Sequence, residues 1–248
     1  MTRESGQAAV ETAITMPLAL FMVLGTLQLF MLLQGRLYAE HAAWAAARVG
    51  SVRHGDCKAM THAAILALLP SFTSYLGTGT PGGTPQQKLA RAFALRTDGK
   101  PFDNQYDAVM DAPHDRSILW LFRPSPRVAS VTRASEDDFD QYQGGGYRLE
   151  LRLVYWYPLR IPFANWVMAT MYRAYFGFQD YRKQNPLIPT QKANWTASSR
   201  ALNGFRDEFL ARFDAQQYVF PVIGTSTMHM MTPPRREHFR RQHCDPTP

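Results

Sequence analysis

The stretch that decides the fold is TAITMPLALFMVLGTLQLFMLLQG, residues Thr12–Gly35, which contains no charged side chain. A helix needs roughly 20 apolar residues to cross the hydrocarbon core of a bilayer, and this run has 24 residues. It is too long for the apolar part of a signal peptide, and no small-x-small cleavage site ends it. The sequence therefore predicts a membrane-spanning helix near the N-terminus.

One carboxylate, that of Glu11, lies inside the apolar segment, because apolar or small residues already begin at Ala8. An ionisable group in the membrane costs a few kcal/mol unless it is paired or reaches the interface. The residues alone leave two interpretations open. Glu11 lies at the headgroup boundary without a role, or its carboxylate pairs with a cation.

The helix is expected to continue past the membrane to about Gly50, because six alanines between Ala39 and Ala47 are strong helix formers. Pro17 has no N–H to donate to the carbonyl of Ala13, so it is predicted to kink the first turns. The small residues at the end of this helix suit close packing, either between subunits or on the protein's own domain.

The N-terminal segment resembles the TadE/TadG-like proteins, which are minor pilins or pseudopilins of the tight-adherence (Flp) pilus. The spacing from Gly6 to Glu11 and the position of Pro17 carry the resemblance, together with the segments Val10–Leu18, Leu24–Phe30 and Ala42–Arg48. It covers residues 5–50 well and the rest loosely. The chain departs from the family at Thr12, where an aromatic residue is usual, and at Gln28, where a second acidic residue is common.

The resemblance implies that a prepilin peptidase cleaves between Gly6 and Gln7, and that the Glu11 carboxylate pairs with an α-amino group when pilin subunits stack. It implies a single-pass protein of the bacterial inner membrane, with a cytoplasmic N-terminus and a periplasmic C-terminal domain. Whether the protein also enters the surface pilus stays open. The expected segments are a leader at 1–6, a transmembrane and stalk helix at 7–50, and a soluble extracytoplasmic domain at 51–248.

The distribution of basic residues opposes this orientation. Arg3 is the one basic side chain before the span, whereas three arginines follow it: Arg36, Arg48 and Arg53. Counted alone, the positive-inside rule places the soluble domain in the cytoplasm. Long domains translocate largely regardless of charge, so we follow the resemblance.

The residues after the anchor number about 190, which is enough for one domain with its own core. Tyr147–Tyr157 alternates between apolar and polar residues, as a strand with one wet face does. Tyr218–Met231 is predicted as a last strand broken at Pro221 and Gly224, and Arg127–Arg133 as a weaker strand. The predicted fold class is α+β, a long N-terminal transmembrane and stalk helix followed by one soluble domain with an antiparallel sheet and covering helices.

No catalytic motif occurs in the sequence, so we expect no enzymatic activity and no cofactor. The literal G-x-G-x-x-G at 77–82 follows a predicted helix and is interrupted by prolines, whereas a dinucleotide site needs a strand before it and a helix after it. His238, His243 and Cys244 are too few for a structural zinc site, which takes four ligands. No metal site is predicted.

The net charge of +7 supports one alternative function. In that alternative the chain is a single-pass, envelope-anchored binding module whose basic surface holds nucleic acid or an acidic polymer. The tail carries four arginines, Arg235, Arg236, Arg240 and Arg241. No aromatic stacking platform accompanies them, so a solvated, frayed terminus is favoured and nucleic acid is not an expected partner.

The chain has two cysteines, Cys57 and Cys244. A domain outside the cytoplasm permits a disulfide between them, and that bond is predicted. Closing so long a loop stabilises by about 4–5 kcal/mol in the chain-entropy model. The alternative is two unrelated thiols, as expected in the cytoplasm.

Overall fold

The computed structural model describes residues 4–72, 83–97, 104–107, 111, 114–132, 147–181 and 200–244, without the side chains of 4–9, 176–181 and 200–203. The glycine motif at 77–82 lies outside these ranges. The α-helices are α1 Glu4–Val52, α2 Cys57–Phe72, α3 Pro85–Thr97, α4 Ala164–Tyr181 and α5 Arg200–Asp214. The strands are β1 Leu119–Ser125, β2 Arg148–Pro158, β3 Val219–His229 and β4 His243–Cys244.

The chain forms two compact units. The anchor unit comprises Met1–Leu33 and Pro158–Phe220, and it contains the first part of α1 together with α4 and α5. The sheet unit comprises Gln34–Tyr157 and Pro221–Pro248. It contains the end of α1, the helices α2 and α3, and nearly all of the sheet.

The sheet has four antiparallel strands in the order β3-β2-β1-β4. Leu121 of the inner strand β1 lies opposite Leu153 on one side and opposite Cys244 on the other. A long apolar helix followed by a domain with an antiparallel sheet and helices confirms the predicted α+β class.

The strand predicted from the best alternation is β2, and its first half behaves as predicted. Arg148 is exposed, whereas the inward-facing leucines are buried, namely Leu149, Leu151 and Leu153. The second half is buried on both faces, because Trp156 packs edge-on against Trp120 of β1 with ring centroids 5.0 Å apart.

The end of α1 packs on the sheet through small residues. Its fully buried alanines are Ala39, Ala42, Ala43, Ala46 and Ala47. A Cβ on Gly35 would lie 2.6 Å from the Tyr157 ring, which shows how closely the helix approaches β2. The structure therefore assigns the small residues of this part of α1 to packing on the chain's own domain.

Two strand predictions differ from the structure. Val128–Ser130 is a 3-10 helix, so the strand predicted at Arg127–Arg133 was wrong. Strand β3 runs without interruption through Pro221 and Gly224. The proline is tolerated because β3 lies at the edge of the sheet, where one row of N–H groups has no ladder partner to lose.

Candidate functional site

The N-terminal part of α1 is an apolar surface without cover in the anchor unit. Every side chain from Val10 to Leu20 is exposed, and large apolar residues such as Ile14 and Leu18 are more than 60% exposed. Among the described residues, α1 is the one helix long and apolar enough to cross a membrane. This helix suggests single-pass anchoring.

Glu11 is the carboxylate within this surface. Its side chain is exposed, and no described cation lies within ion-pair distance of it. Its backbone oxygen accepts a hydrogen bond of 2.9 Å from the hydroxyl of Thr15. Gly6 and Gln7 belong to the first turns of α1, and Pro17 lies inside the helix. The cleavage, pairing and kink assigned to these residues remain predictions.

From Phe21 onward, one side of α1 is covered within the anchor unit. The Phe21 ring contacts the Phe163 ring edge-on, with centroids 5.8 Å apart. Gln28 is fully buried, and its Oε1 accepts a 2.9 Å hydrogen bond from the backbone N–H of Ile161. The sequence analysis did not predict this contact. A glutamine inside an apolar run does indicate that a polar partner is needed there, because a buried amide without a hydrogen bond costs free energy.

The two cysteines are joined by a disulfide at a Cα–Cα distance of 5.4 Å. The bond links the start of α2 to β4, and β4 pairs with β1. Because Cys244 is oxidised, it offers no thiolate to a metal. Among the described residues, no group of three or more His, Cys, Asp and Glu side chains could hold a metal ion.

The Arg123 guanidinium holds the residues before Cys244 in place. It is buried and donates to the carbonyls of Gly55 at 2.9 Å, His238 at 2.9 Å and Arg241 at 2.7 Å. It also lies over the Phe239 ring at 4.3 Å. We call Arg123 and these four partners the tail clamp.

The tail clamp corrects the expectation of a frayed terminus. Phe239 is only 1% exposed, and a Cβ on Gly55 would lie 2.6 Å from its ring. Burial lowers the pKa of Arg123 to about 10, against the opposing charge of Asp56, so the guanidinium remains charged at neutral pH. Sequence pattern could not reveal this cluster, because its members come from three distant segments.

Comparison with known proteins locates the similarity in α1. Residues 6–48 match the family model described as TadE-like protein. No curated protein and no solved structure matches the chain. The match begins at Gly6, includes Glu11 and Pro17, and ends within the alanine-rich part of α1. It marks α1 as a TadE-like helix, consistent with a TadE-like pilin of the tight-adherence pilus.

Proposed function

We propose that this chain is a non-catalytic minor pilin or pseudopilin that takes part in assembly of a tight-adherence pilus. The observation that carries the proposal is the N-terminal part of α1, which is an uncovered apolar helix with one carboxylate and lies within the TadE-like match. An uncovered apolar helix of this length needs lipid or neighbouring helices around it. The helix of a pilin subunit is surrounded by lipid in the membrane and by neighbouring helices in the filament.

The proposed site is the N-terminus of α1, with the inner membrane, other pilins and prepilin peptidase as partners. Cleavage between Gly6 and Gln7 creates an α-amino group, and the Glu11 carboxylate of one subunit pairs with such an amine on a neighbour. A carboxylate in hydrocarbon is stabilised when a cation meets it. In the described part of the chain Glu11 has no such cation, so an intermolecular partner supplies it.

The proposed orientation places the N-terminus in the cytoplasm and the remaining domain in the periplasm. The disulfide supports this orientation, because structural disulfides persist in the oxidising bacterial periplasm and are rare in the cytosol. In this arrangement the arginines that follow the span lie on the periplasmic side, and the length of the translocated domain outweighs their charge.

The proposal is tested by mass spectrometry of the mature N-terminus in cells with an active prepilin peptidase. We expect a chain that begins at Gln7, and Gly6→Leu should leave the leader attached. Recovery of the native protein intact from Met1 would count against pilin-type processing.

The assembly role is tested with Glu11→Ala and a matched control, Glu40→Ala. Both carboxylates are exposed on α1, but Glu40 pairs within the chain with Arg36 at 3.2 Å. We expect both variants to insert into the membrane and only Glu11→Ala to lower co-purification with partner pilins. Equal co-purification of the two variants would refute the pairing.

A further inference from the structure

Helix α4 and the residue before it expose large apolar side chains. The exposed side of a helix in water normally carries charged residues. Phe163 is 52% exposed, Trp166 50%, Met171 64% and Tyr175 49%. The three residues within the helix are spread over its exposed half, and Phe163 immediately precedes it. We call these four residues the aromatic face. An apolar patch of this kind marks an interaction surface.

Other side chains of α4 pack inside the anchor unit. Ala164 and Ala169 are fully buried. Tyr172 packs against Phe209 of α5 and Phe220 of β3, with ring centroids 5.0 and 4.8 Å apart. These contacts join α4 to α5 and β3 and leave Trp166, Met171 and Tyr175 about half exposed or more.

One charged residue lies at the edge of the aromatic face, next to Trp166. Among residues 164–175, whose side chains are described, Arg173 is the one that carries a charge. Its guanidinium lies over the Phe213 ring at 4.8 Å and 3.8 Å from the Asp214 carboxylate, both in α5. One charge over residues 164–175 is fewer than the exposed side of a helix in water normally carries.

The start of α4 lies beside the apolar run of α1. Phe163 contacts Phe21, and the Ile161 N–H bonds to Gln28. At 1.5 Å per residue, Phe21 is about 15 Å along the helix from Glu11 and about 22 Å from Arg36. If α1 spans the bilayer, the residues that enter α4 are at hydrocarbon depth.

Two backbone N–H groups of this entry turn are paired inside the protein, as a hydrocarbon environment requires. The Leu159 N–H donates to the Tyr218 carbonyl at 2.9 Å. The Ile161 N–H donates to Oε1 of Gln28 at 2.9 Å. Pro162 has no N–H. Gln28 therefore satisfies one backbone donor of the turn beside the apolar run of α1.

We propose that the aromatic face of α4 is a membrane-binding surface that lies in the bilayer beside α1 and contacts lipid acyl chains. The inference rests on the proposed insertion of α1. Trp and Tyr are enriched at the boundary between acyl chains and headgroups, and a helix with an apolar face binds in that plane. The chain is then attached to the membrane by two helices: α1 spans the bilayer, and α4 is immersed on one side.

The test uses spin labels on the full-length protein in vesicles of phosphatidylethanolamine and phosphatidylglycerol. Both native cysteines are in the disulfide, so each variant carries one free thiol. Trp166→Cys and Met171→Cys report on the aromatic face. Met22→Cys, 61% exposed on α1, is the lipid control, and Arg148→Cys, 61% exposed in the sheet unit, is the water control.

We expect labels at 166 and 171 to relax with dissolved oxygen several-fold more than with a water-soluble nickel chelate, as at 22, and the label at 148 to do the reverse. Behaviour like 148 at the aromatic face, with 22 in lipid, would overturn this inference and leave the anchor intact. Protection from both reagents would also overturn it, because the face would then contact protein. A label at 22 in water would refute the insertion of α1 itself.

Discussion

Replacement of Gly224 by alanine tests how closely α1 and the sheet are packed. A Cβ on Gly224 would lie 2.7 Å from the carbonyl carbon of Ala39 and closer still to its oxygen, whereas ordinary contacts begin at 3.4 Å. Both partners are backbone, so no side chain can rotate away. The helix and the strand must separate, and the buried alanines of α1 lose contact with the sheet.

The magnitude follows from two opposing terms. Overpacking a well-packed core costs about 1–3 kcal/mol, and the rigid backbone contact places this site near the upper end. Alanine returns about 0.4–1 kcal/mol by restricting the unfolded chain. We expect a net loss of about 2 kcal/mol, which lowers the melting temperature of a unit of this size by about 4–8 °C.

The assay is thermal unfolding of the detergent-solubilised protein, followed by near-ultraviolet circular dichroism. Gly25→Ala is the matched control, because a Cβ there meets nothing within 4 Å and alanine favours a helix. It should leave the melting temperature unchanged or raise it. A melting temperature for Gly224→Ala within 1 °C of the control (about the precision of such a measurement) would refute the close packing of helix and strand.

Three further outcomes are expected. Arg123→Met removes the guanidinium donor from three backbone carbonyls and should lower the unfolding free energy by about 3 kcal/mol. Arg240→Met, at an exposed position, should change that free energy little; chemical denaturation measures both. The disulfide joins residues 187 positions apart. Its reduction should lower the free energy of unfolding by about 5 kcal/mol in the chain-entropy model, measured by chemical denaturation. Gln28→Leu removes the acceptor of the Ile161 N–H, so that amide should exchange with deuterium at least about tenfold faster, the equivalent of 1.4 kcal/mol.

The parts of the fold that were predicted depend on local pattern. An uncharged, largely apolar run of 24 residues predicts a membrane-spanning helix from its length and composition alone. Likewise, the alternation in β2 sets a period that only a strand satisfies. These signals lie within one element and need no knowledge of its neighbours.

The parts that were missed depend on distant partners. Gly224 weakens the strand pattern of β3, but its small size is what allows the α1 backbone to pass. Arg123 is charged and would ordinarily be placed on the surface. It is buried because carbonyls from the start of α2 and from the tail converge on it, and no spacing in the sequence brings those segments together.

The disulfide has a mechanical consequence if the chain, as a proposed pilin, is pulled through its N-terminal helix. Tension between α1 and the residues around Cys244 would pass through the disulfide and bypass the chain between the two cysteines, whose sequence separation is 187. At about 3.4 Å per extended residue, the bridge keeps more than about 600 Å of chain from being drawn out. Such a molecule would yield under force by unwinding α1, while the strands between the two cysteines would carry no tension.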